Sequence, residues 1–261
     1  MTPRKLKVLD LFSGIGGFSL GLERAKCEDG PYNGFETVAF CEIEEFPRKV
    51  LAKHWPDVPC YRDVRELTAA RLTADGIAVD VICGGFPCQD ISVAGEGLGL
   101  AGERSGLWFE FLRIIGELGP QVVIVENVSA LLCRGLQAVL GGLAAIGYDA
   151  TWHCIPAAYV GLPHVRDRVW LVAYPGEERA EGRWEDALSR LYGISWGENV
   201  GRAEAWAKRP DLSASGLCRT SDGVPARVDR TAALGNAVVP QIPELIGNAI
   251  LAAIGGQDQA A

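Results

Sequence analysis

Residues 79–90 read VDVICGGFPCQD, and the predicted fold is organised around this stretch. It begins as a short β-branched run between turn residues, which is typical of a buried strand in a parallel sheet. Gly84 and Gly85 end the strand and let the backbone approach a ligand closely. Pro87 stiffens the turn, and Cys88 follows at the carboxyl end of the strand, where α/β sheets bind ligands. The thiol is a candidate nucleophile, and a small buried cysteine after a tight turn is the alternative.

A second strand-and-turn unit stands at the start of the chain. Residues 5–12 (KLKVLDLF) predict a strand, 13–17 (SGIGG) a glycine turn, and 18–25 an amphipathic helix. Glycines between a strand and a helix admit a nucleotide-like ligand beside the helix N-terminus. The spacing is not that of the dinucleotide fingerprint, so the turn alone indicates only that an adenosine-like cofactor is plausible.

Acidic residues follow the next two predicted strands. Strand 37–41 ends at Glu42, where a carboxylate commonly holds a ribose diol. The alternative is a carboxylate at the N-terminus of the following helix, favoured by the helix dipole. A short strand over 60–64 carries Asp63, which is placed to accept a hydrogen bond from an adenine amino group.

A fully apolar run at 121–125 predicts another central strand, and Glu126 ends it. Burial there would raise the pKa of the carboxyl and make it a proton donor or hydrogen-bonding acid near neutrality. Further on, Arg166 and Arg168 alternate before a strand at 169–173, and alternation in extended chain predicts that both point to one side.

Together these motifs resemble those of the DNA (cytosine-5)-methyltransferases. GGFPCQ with Ser92 close behind is similar to the family's catalytic loop, and Glu126-Asn127-Val128 to its glutamate motif. GNAVVP at 235–240 is similar to its final motif, and the apolar face of the segment 241–254 predicts a final helix that packs beside the first one. The arginine pair matches the family's Gln-x-Arg-x-Arg, except that His164 stands where the family has Gln. The motifs occur in family order and leave only 174–229 uncovered.

The resemblance implies an α/β fold with a doubly wound, mostly parallel, Rossmann-like sheet. It implies a catalytic domain of 1–173 plus 230–261 and a small target-recognition region at 174–229. The implied reaction moves a methyl group from S-adenosylmethionine to C5 of a flipped cytosine through a covalent Cys88–C6 adduct. Its implied catalytic residues are Cys88, Glu126, Arg166 and Arg168. The implied cofactor contacts are Phe12, Ser13, Gly14, Gly16, Gly17, Glu42, Asp63, Val64, Gly85, Pro87, Asn236 and Ala237.

Double-stranded DNA is the implied partner, with a cognate restriction endonuclease as a further possible one. The expected DNA-contacting residues are Gln89, Ser92, Arg104, Arg183 and Arg202. The glycine-rich segment 93–106 is predicted to be a mobile lid, and a disordered connector is the alternative. Aromatic and arginine side chains interleave in 174–229. They suit base stacking and guanine recognition, or equally a minor core.

Composition narrows the class of protein. The net charge of −8 disfavours a general nucleic-acid binder, although residues 161–230 are neutral and rich in Arg. Eight cysteines without a CxxC pair favour reduced thiols, not a disulfide framework or a zinc site. No long apolar run or signal peptide is evident. We therefore expect a cytoplasmic monomer that binds no metal and no membrane.

Three other functions fit parts of the sequence. A tRNA-directed branch of the family shares the chemistry, but its motif around the nucleophile differs from the one at 85–89. A catalytically silent DNA-binding partner would usually lack Cys88 or Glu126, and both are present. A nucleotide-dependent oxidoreductase would explain the glycine turn and leave Cys88, Glu126 and the arginine pair unexplained.

Overall fold

The structure is a computed structural model that describes residues 4–27, 32–87, 106–162, 166–176, 184 and 235–255. Its strands are β1 (Arg4–Leu11), β2 (Tyr32–Cys41), β3 (Cys60–Tyr61), β4 (Val81–Gly84), β5 (Val122–Val128), β6 (Tyr148–Cys154) and β7 (Arg168–Pro175). Its α-helices are α1 (Gly17–Leu22), α2 (Glu45–His54), α3 (Ala69–Ala74), α4 (Gly106–Leu118), α5 (Leu131–Arg134), α6 (Leu136–Ala145) and α7 (Gln241–Gly255). A 3-10 turn at Ala157–Val160 precedes β7.

The strands form one sheet in the order β3-β2-β1-β4-β5-β7-β6. The pairs from β3 through β5 are parallel, while β7 runs antiparallel to both β5 and β6. The mostly parallel, doubly wound sheet predicted from the sequence is confirmed. The reversed direction of β7 was not predicted, because residue pattern defines a buried strand but not its direction.

Two hydrophobic clusters cover the two faces of the sheet. Along β1, Leu6 and Val8 belong to the cluster beneath α1 and α7, while Leu9 and Leu11 belong to the one beneath α4 and α6. This alternation follows from the two-residue period of a strand, since successive side chains point to opposite faces. Helices on both faces leave the strand ends as the accessible edge for a ligand.

Several predicted boundaries shift in the structure. The third strand ends at Tyr61, so the prediction that it extends through Asp63 to Val64 is wrong. β5 continues to Val128, so Glu126 lies within the strand and not after it. β2 begins at Tyr32, five residues before its predicted start. Each difference reflects pairing with a neighbouring strand, which local sequence does not encode.

The final helix lies where the sequence predicts it and packs beside α1, as expected. The contact is close because Gly247 faces Ala25, Leu22 and Phe35, and a Cβ on Gly247 would stand 2.7 Å from the Ala25 Cβ. α7 therefore brings the chain back to the first strand-and-turn unit. Among the described residues, no helix is both long and apolar enough to cross a bilayer.

Candidate active site

Three segments with site motifs meet at the carboxyl ends of β1, β4 and β5. Leu11 pairs with Gly84, and Gly84 pairs with Val125. The glycine turn after β1, the loop after β4 and the Glu126 carboxylate therefore lie side by side. In a doubly wound sheet this edge is where ligands bind.

Glu126 forms an ion pair with Arg168, with 3.1 Å between Oε1 and Nε. The pair is largely shielded, since 12% of the Glu126 side chain and 22% of the Arg168 side chain are exposed. Glu126 stands opposite Trp170 in the β5–β7 ladder, and Arg168 stands opposite Val128. Arg168 is therefore the diagonal neighbour of Glu126, a position that a long side chain can span. Burial raises the pKa of the Glu126 carboxyl despite the charges of Arg168 and Arg166, as the sequence predicted.

The loop after β4 lies directly against this carboxylate. A Cβ on Gly85 would stand 2.9 Å from Glu126 Oε2, so a larger residue at 85 would displace the acid. Asn127, which is buried, donates from Nδ2 to the Phe86 carbonyl at 3.2 Å. Asn127 thereby fixes the loop one residue before Pro87. No role was predicted for Asn127, although a buried amide beside a candidate acid is a signal for one.

Arg166 does not share the direction of Arg168. Its Nη1 donates to the Gly235 carbonyl at 2.6 Å, and its Nη2 donates to the Ala237 carbonyl at 2.9 Å. The expectation that both arginines point to one side is wrong, because Arg166 precedes β7 and has a φ of 26°. The chain there is not extended, so the two-residue alternation of a strand does not apply.

The glycine turn after β1 is held by backbone conformations that side chains rarely allow. Gly14 and Gly16 have φ angles of 53° and 83°, and Phe12 shares the left-handed region at 53°. A Cβ on Gly16 would stand 2.6 Å from the Trp55 ring. Ser13 Oγ donates to the Asp10 carbonyl at 2.6 Å and accepts from Cys41 N at 3.3 Å, which ties the turn to β2. The Phe12 ring stacks on Phe111 at 6.2 Å.

Glu42 follows β2 and is buried beside this turn. Its Oε2 accepts from Gly14 N at 2.7 Å, and its Oε1 accepts from Glu44 N at 2.7 Å. Burial raises the pKa of the Glu42 carboxyl, and the bonds from Glu44 and Gly14 oppose that shift. Each oxygen keeps a second lone pair, so the carboxylate can still accept from a ligand hydroxyl.

Asp63 and Val64 follow β3 at the same edge. The Asp63 carboxylate accepts from Arg65 Nη2 at 2.7 Å and from Arg65 N at 3.0 Å. The side-chain hydrogen bond from Arg65 lowers the pKa of Asp63, so the group is charged at neutral pH. The Val64 side chain is buried, and its carbonyl accepts from Arg113 Nη2 at 3.1 Å.

The final motif lies against α1. A Cβ on Gly17 would stand 2.5 Å from the Val238 carbonyl oxygen, and one on Gly21 would overlap the Pro240 carbonyl. These two glycines are one helical turn apart, so their shared face accommodates the returning chain. Asn236 is exposed, and Ala237 is half-buried at the Arg166 contact. The structure thus brings the last motif to the first.

Asp10 is a buried group that the sequence did not single out. It is fully shielded near the carboxyl end of β1, opposite Cys83 of β4. Its Oδ2 accepts from Ser19 Oγ at 2.7 Å, while its Oδ1 has no hydrogen-bond partner. Burial raises the pKa of Asp10 to about 8. An acidic residue between the apolar residues Leu9 and Leu11 of a strand was the available signal.

Several predicted site residues lie outside the described residues. They are Cys88, Gln89, Ser92, Arg104, Arg183 and Arg202, together with His164 and the loop 93–105. Trp184, within the predicted recognition region, is buried and stacks on Tyr174 at 4.8 Å. For that one aromatic residue, the minor-core alternative is confirmed. The described part of the chain holds no cluster of three or more His, Cys, Asp or Glu side chains suited to a metal ion.

Comparison with known proteins agrees with this geometry. The family model for the C-5 cytosine-specific DNA methylase matches residues 6–196, which include Glu42, Asp63, Glu126 and both arginines. The chain belongs to the C-5 cytosine-specific DNA methylase family. The match extends past β7 and so covers part of the predicted recognition region as well.

Curated relatives of this methylase family align with much of the chain. The Type II methyltransferase M2.BsuMI of Bacillus subtilis (strain 168) is 31% identical over 225 residues, covering 78% of this chain and 54% of the relative. M.Eco47II of Escherichia coli, also a Type II methyltransferase, is 34% identical over 191 residues, covering 70% and 43% respectively. This methylase chain therefore spans about half the length of the relatives it matches.

Solved structures of methyltransferases share the methylase fold. A protein described as a DNA modification methyltransferase encoded within an E. coli prophage superposes with a TM-score of 0.55 at 27% identity. The match covers 66% of this chain and 47% of that one. The S. pombe Dnmt2 methyltransferase gives a TM-score of 0.54 at 20% identity, covering 66% and 51%, and shows the fold alone.

Proposed function

We propose that this chain is a DNA (cytosine-5)-methyltransferase, which transfers a methyl group from S-adenosylmethionine to C5 of a cytosine in double-stranded DNA. The observation that carries the proposal is the shielded Glu126–Arg168 pair lying against Gly85, three residues before Cys88. A carboxylate and a guanidinium at one sheet edge, with a thiol three residues along the chain from Gly85, are the groups that activation of a pyrimidine requires.

Glu126 and Arg168 act on the base. Because burial raises the pKa of the Glu126 carboxyl, it can share or donate a proton to the cytosine N3 edge near neutral pH. Arg168 holds the carboxyl in place through its 3.1 Å ion pair. The oriented Glu126 carboxyl then stabilises the charge that develops at N3, so the site needs little reorganisation during the reaction.

Cys88 acts as the nucleophile. Its thiolate adds to C6, forming a C6–S bond, and the electron pair of the C5–C6 double bond becomes available at C5. S-adenosylmethionine, when bound, supplies the methyl group that C5 takes up. A base, for which a bound water is our proposal, removes the C5 proton, and the C5–H electron pair restores the double bond as the thiolate leaves. The cytosine has to leave the base stack for C6 to be reached.

The residues at the β1–β3 ends fit this cofactor. The glycine turn presents backbone without side chains, and Gly14 has open space where a Cβ would stand. Glu42 keeps acceptor capacity for ribose hydroxyls, and charged Asp63 can accept from an adenine amino group. Val238, packed on Gly17, would complete the pocket with Asn236 and Ala237.

DNA contacts belong to residues Gln89, Ser92, Arg104, Arg183 and Arg202 in this proposal. Replacing an arginine that reads guanine should cost about 1–3 kcal/mol of discrimination at one base pair. Replacing one that contacts phosphate should weaken binding to all sequences alike. We also propose that the protein is a cytoplasmic monomer that works with a cognate restriction endonuclease.

The test is expression in a host that lacks cytosine methylation, followed by genome-wide mapping of 5-methylcytosine. The wild-type chain should mark cytosines within one short sequence, and Cys88→Ala should mark none while still binding S-adenosylmethionine in calorimetry. Methylation by Cys88→Ala at a rate near that of the wild type would overturn the mechanism. Methylation of RNA and not of DNA would overturn the substrate.

A further inference from the structure

Arg166 connects two distant parts of the chain. Its guanidinium donates to the carbonyls of Gly235 and Ala237, which are 69 and 71 residues further along. Two N–H donors of one planar guanidinium that engage two backbone carbonyls fix both distance and orientation. The segment 235–240, called the return segment below, is therefore held at the start of β7.

The other side of the return segment rests on α1. The Val238 carbonyl lies over Gly17 and the Pro240 carbonyl lies over Gly21, where any side chain would collide. α7 begins directly afterwards, and its first turn is stabilised by bonds from Ile242 N to Val239 O (3.1 Å) and from Glu244 N to Pro240 O (3.1 Å). Arg166 thus closes a chain of contacts from β7 to the helix that follows the glycine turn.

The backbone of Arg166 is set for this direction. Its φ of 26° lies in a region that side chains other than glycine rarely adopt, and such conformations persist only where surrounding contacts hold them. Its carbonyl accepts from Ala157 N at 3.2 Å, which anchors it to the 3-10 turn. With this backbone, the Arg166 guanidinium bonds the return segment while that of Arg168 pairs with Glu126.

The two arginines near Glu126 have different partners. Glu126 forms its ion pair with Arg168, and Arg166 contributes only at longer range to that carboxyl. Burial and the charge of Arg168 lower the pKa of the Arg166 guanidinium. The two backbone carbonyls accept hydrogen bonds from this charged group without adding a second carboxylate to the site.

We propose that Arg166 is a positioning residue that fastens the return segment over α1, so that cofactor binding depends on Arg166 and base activation depends on Arg168. The inference rests on the proposed function for its cofactor, but the anchoring itself is independent of any reaction. It assigns the two arginines of one motif to different ends of the site.

The test combines hydrogen exchange with calorimetry on the full chain. In Arg166→Ala, peptides that contain the Ile242 and Glu244 amides should exchange faster, while peptides from β1 and β4 should keep wild-type rates. The Kd for S-adenosylhomocysteine should rise on the order of tenfold, and Arg166→Lys, which keeps one donor, should lie between. Arg168→Ala should change neither quantity but should lower kcat. Arg24→Ala, at an exposed site on the C-terminal side of α1, is the matched control.

Unchanged exchange at the Ile242 and Glu244 amides together with an unchanged Kd for S-adenosylhomocysteine in Arg166→Ala would overturn the inference. Faster exchange throughout the chain in both Arg166→Ala and Arg166→Lys would also overturn it, because it would indicate a general structural role. A wild-type chain that methylates RNA, or nothing, would overturn the proposed function. Faster exchange in Arg166→Ala that is confined to the Ile242 and Glu244 amides would still support the anchoring.

Discussion

The two shielded glutamates of the site, Glu42 and Glu126, are held in different ways. Both carboxyls have a pKa raised by burial, and both lie at the same edge of the sheet. Glu42, in the parallel half, is fixed by backbone N–H groups on each oxygen. Glu126, at the junction with the antiparallel half, is fixed by a side chain, Arg168. A backbone-held acid suits a rigid binding pocket, whereas an acid held by a charged side chain can exchange a proton with a substrate while the guanidinium stays charged.

The largest effect is expected at Glu126. Glu126→Gln removes the charge and the transferable proton, so kcat should fall about 10²–10⁴-fold while the Kd for S-adenosylmethionine changes less than about twofold. Single-turnover methylation and calorimetry measure the two quantities. Glu110→Gln, which alters a carboxylate paired with Arg113 at 2.9 Å on α4, is the control. Equal losses in kcat and in cofactor affinity would contradict separate roles for Glu42 and Glu126.

The next largest effect is expected at Gly85. In Gly85→Ala the new methyl group would meet Glu126 Oε2 at 2.9 Å and push the carboxyl from Arg168. We expect kcat to fall on the order of 10–100-fold, since small displacements of an oriented group have such costs. Gly141→Ala, where no atom lies within 4 Å of the added Cβ, should keep wild-type kcat. A wild-type kcat for Gly85→Ala would show that the position of Glu126 does not matter.

Glu42→Gln should act on binding alone. The amide nitrogen would face one backbone N–H, from Gly14 or Glu44, and leave it without an acceptor. The Kd for S-adenosylmethionine should rise about tenfold, corresponding to about 1.4 kcal/mol, with little change in kcat at saturating cofactor. Glu117→Gln, at a carboxylate that accepts from Ala69 N, is the matched control. A loss confined to kcat would contradict a binding role for Glu42.

The last effect is on stability and not on the reaction, and it concerns Asp10, which lies between the two regions. Its folded-state pKa of about 8 exceeds the unfolded value near 3.9, so the stability it contributes is complete below about pH 4 and is lost as pH rises towards 8. Urea unfolding should show the wild type losing at most about 1.4 kcal/mol per pH unit, relative to Asp10→Asn, between pH 5 and 7. A difference between the two proteins that is independent of pH would contradict this.

Sequence patterns predicted the elements better than their long-range contacts. The apolar runs of β1, β4 and β5 and the apolar face of α7 were sufficient to place those elements, because burial requires those residues. The direction of β7 and the extent of β5 were not predictable, since both depend on pairing between segments far apart in sequence.

The same limit applies within the site. Glu126, Glu42 and the glycine turn were predicted from residue type and position. The divergence of Arg166 from Arg168 was not, because it depends on a left-handed φ at a residue whose side chain gives no sign of it. The contact of Asn127 with the Phe86 carbonyl joins β5 to the loop after β4 across 41 residues of sequence, so no local pattern contains it.

Covalent trapping tests the central claim most directly, namely that Glu126 and Arg168 serve a thiol chemistry at Cys88. Duplex DNA containing 5-azacytosine has no proton to lose at ring position 5, so the thioether should persist after methyl transfer. Incubation with S-adenosylmethionine and peptide mass mapping should place the nucleotide on Cys88, at a rate at least about a hundredfold lower in Glu126→Gln. Formation of 5-methylcytosine in ordinary DNA, without any adduct on Cys88 in the trapping reaction, would contradict the account.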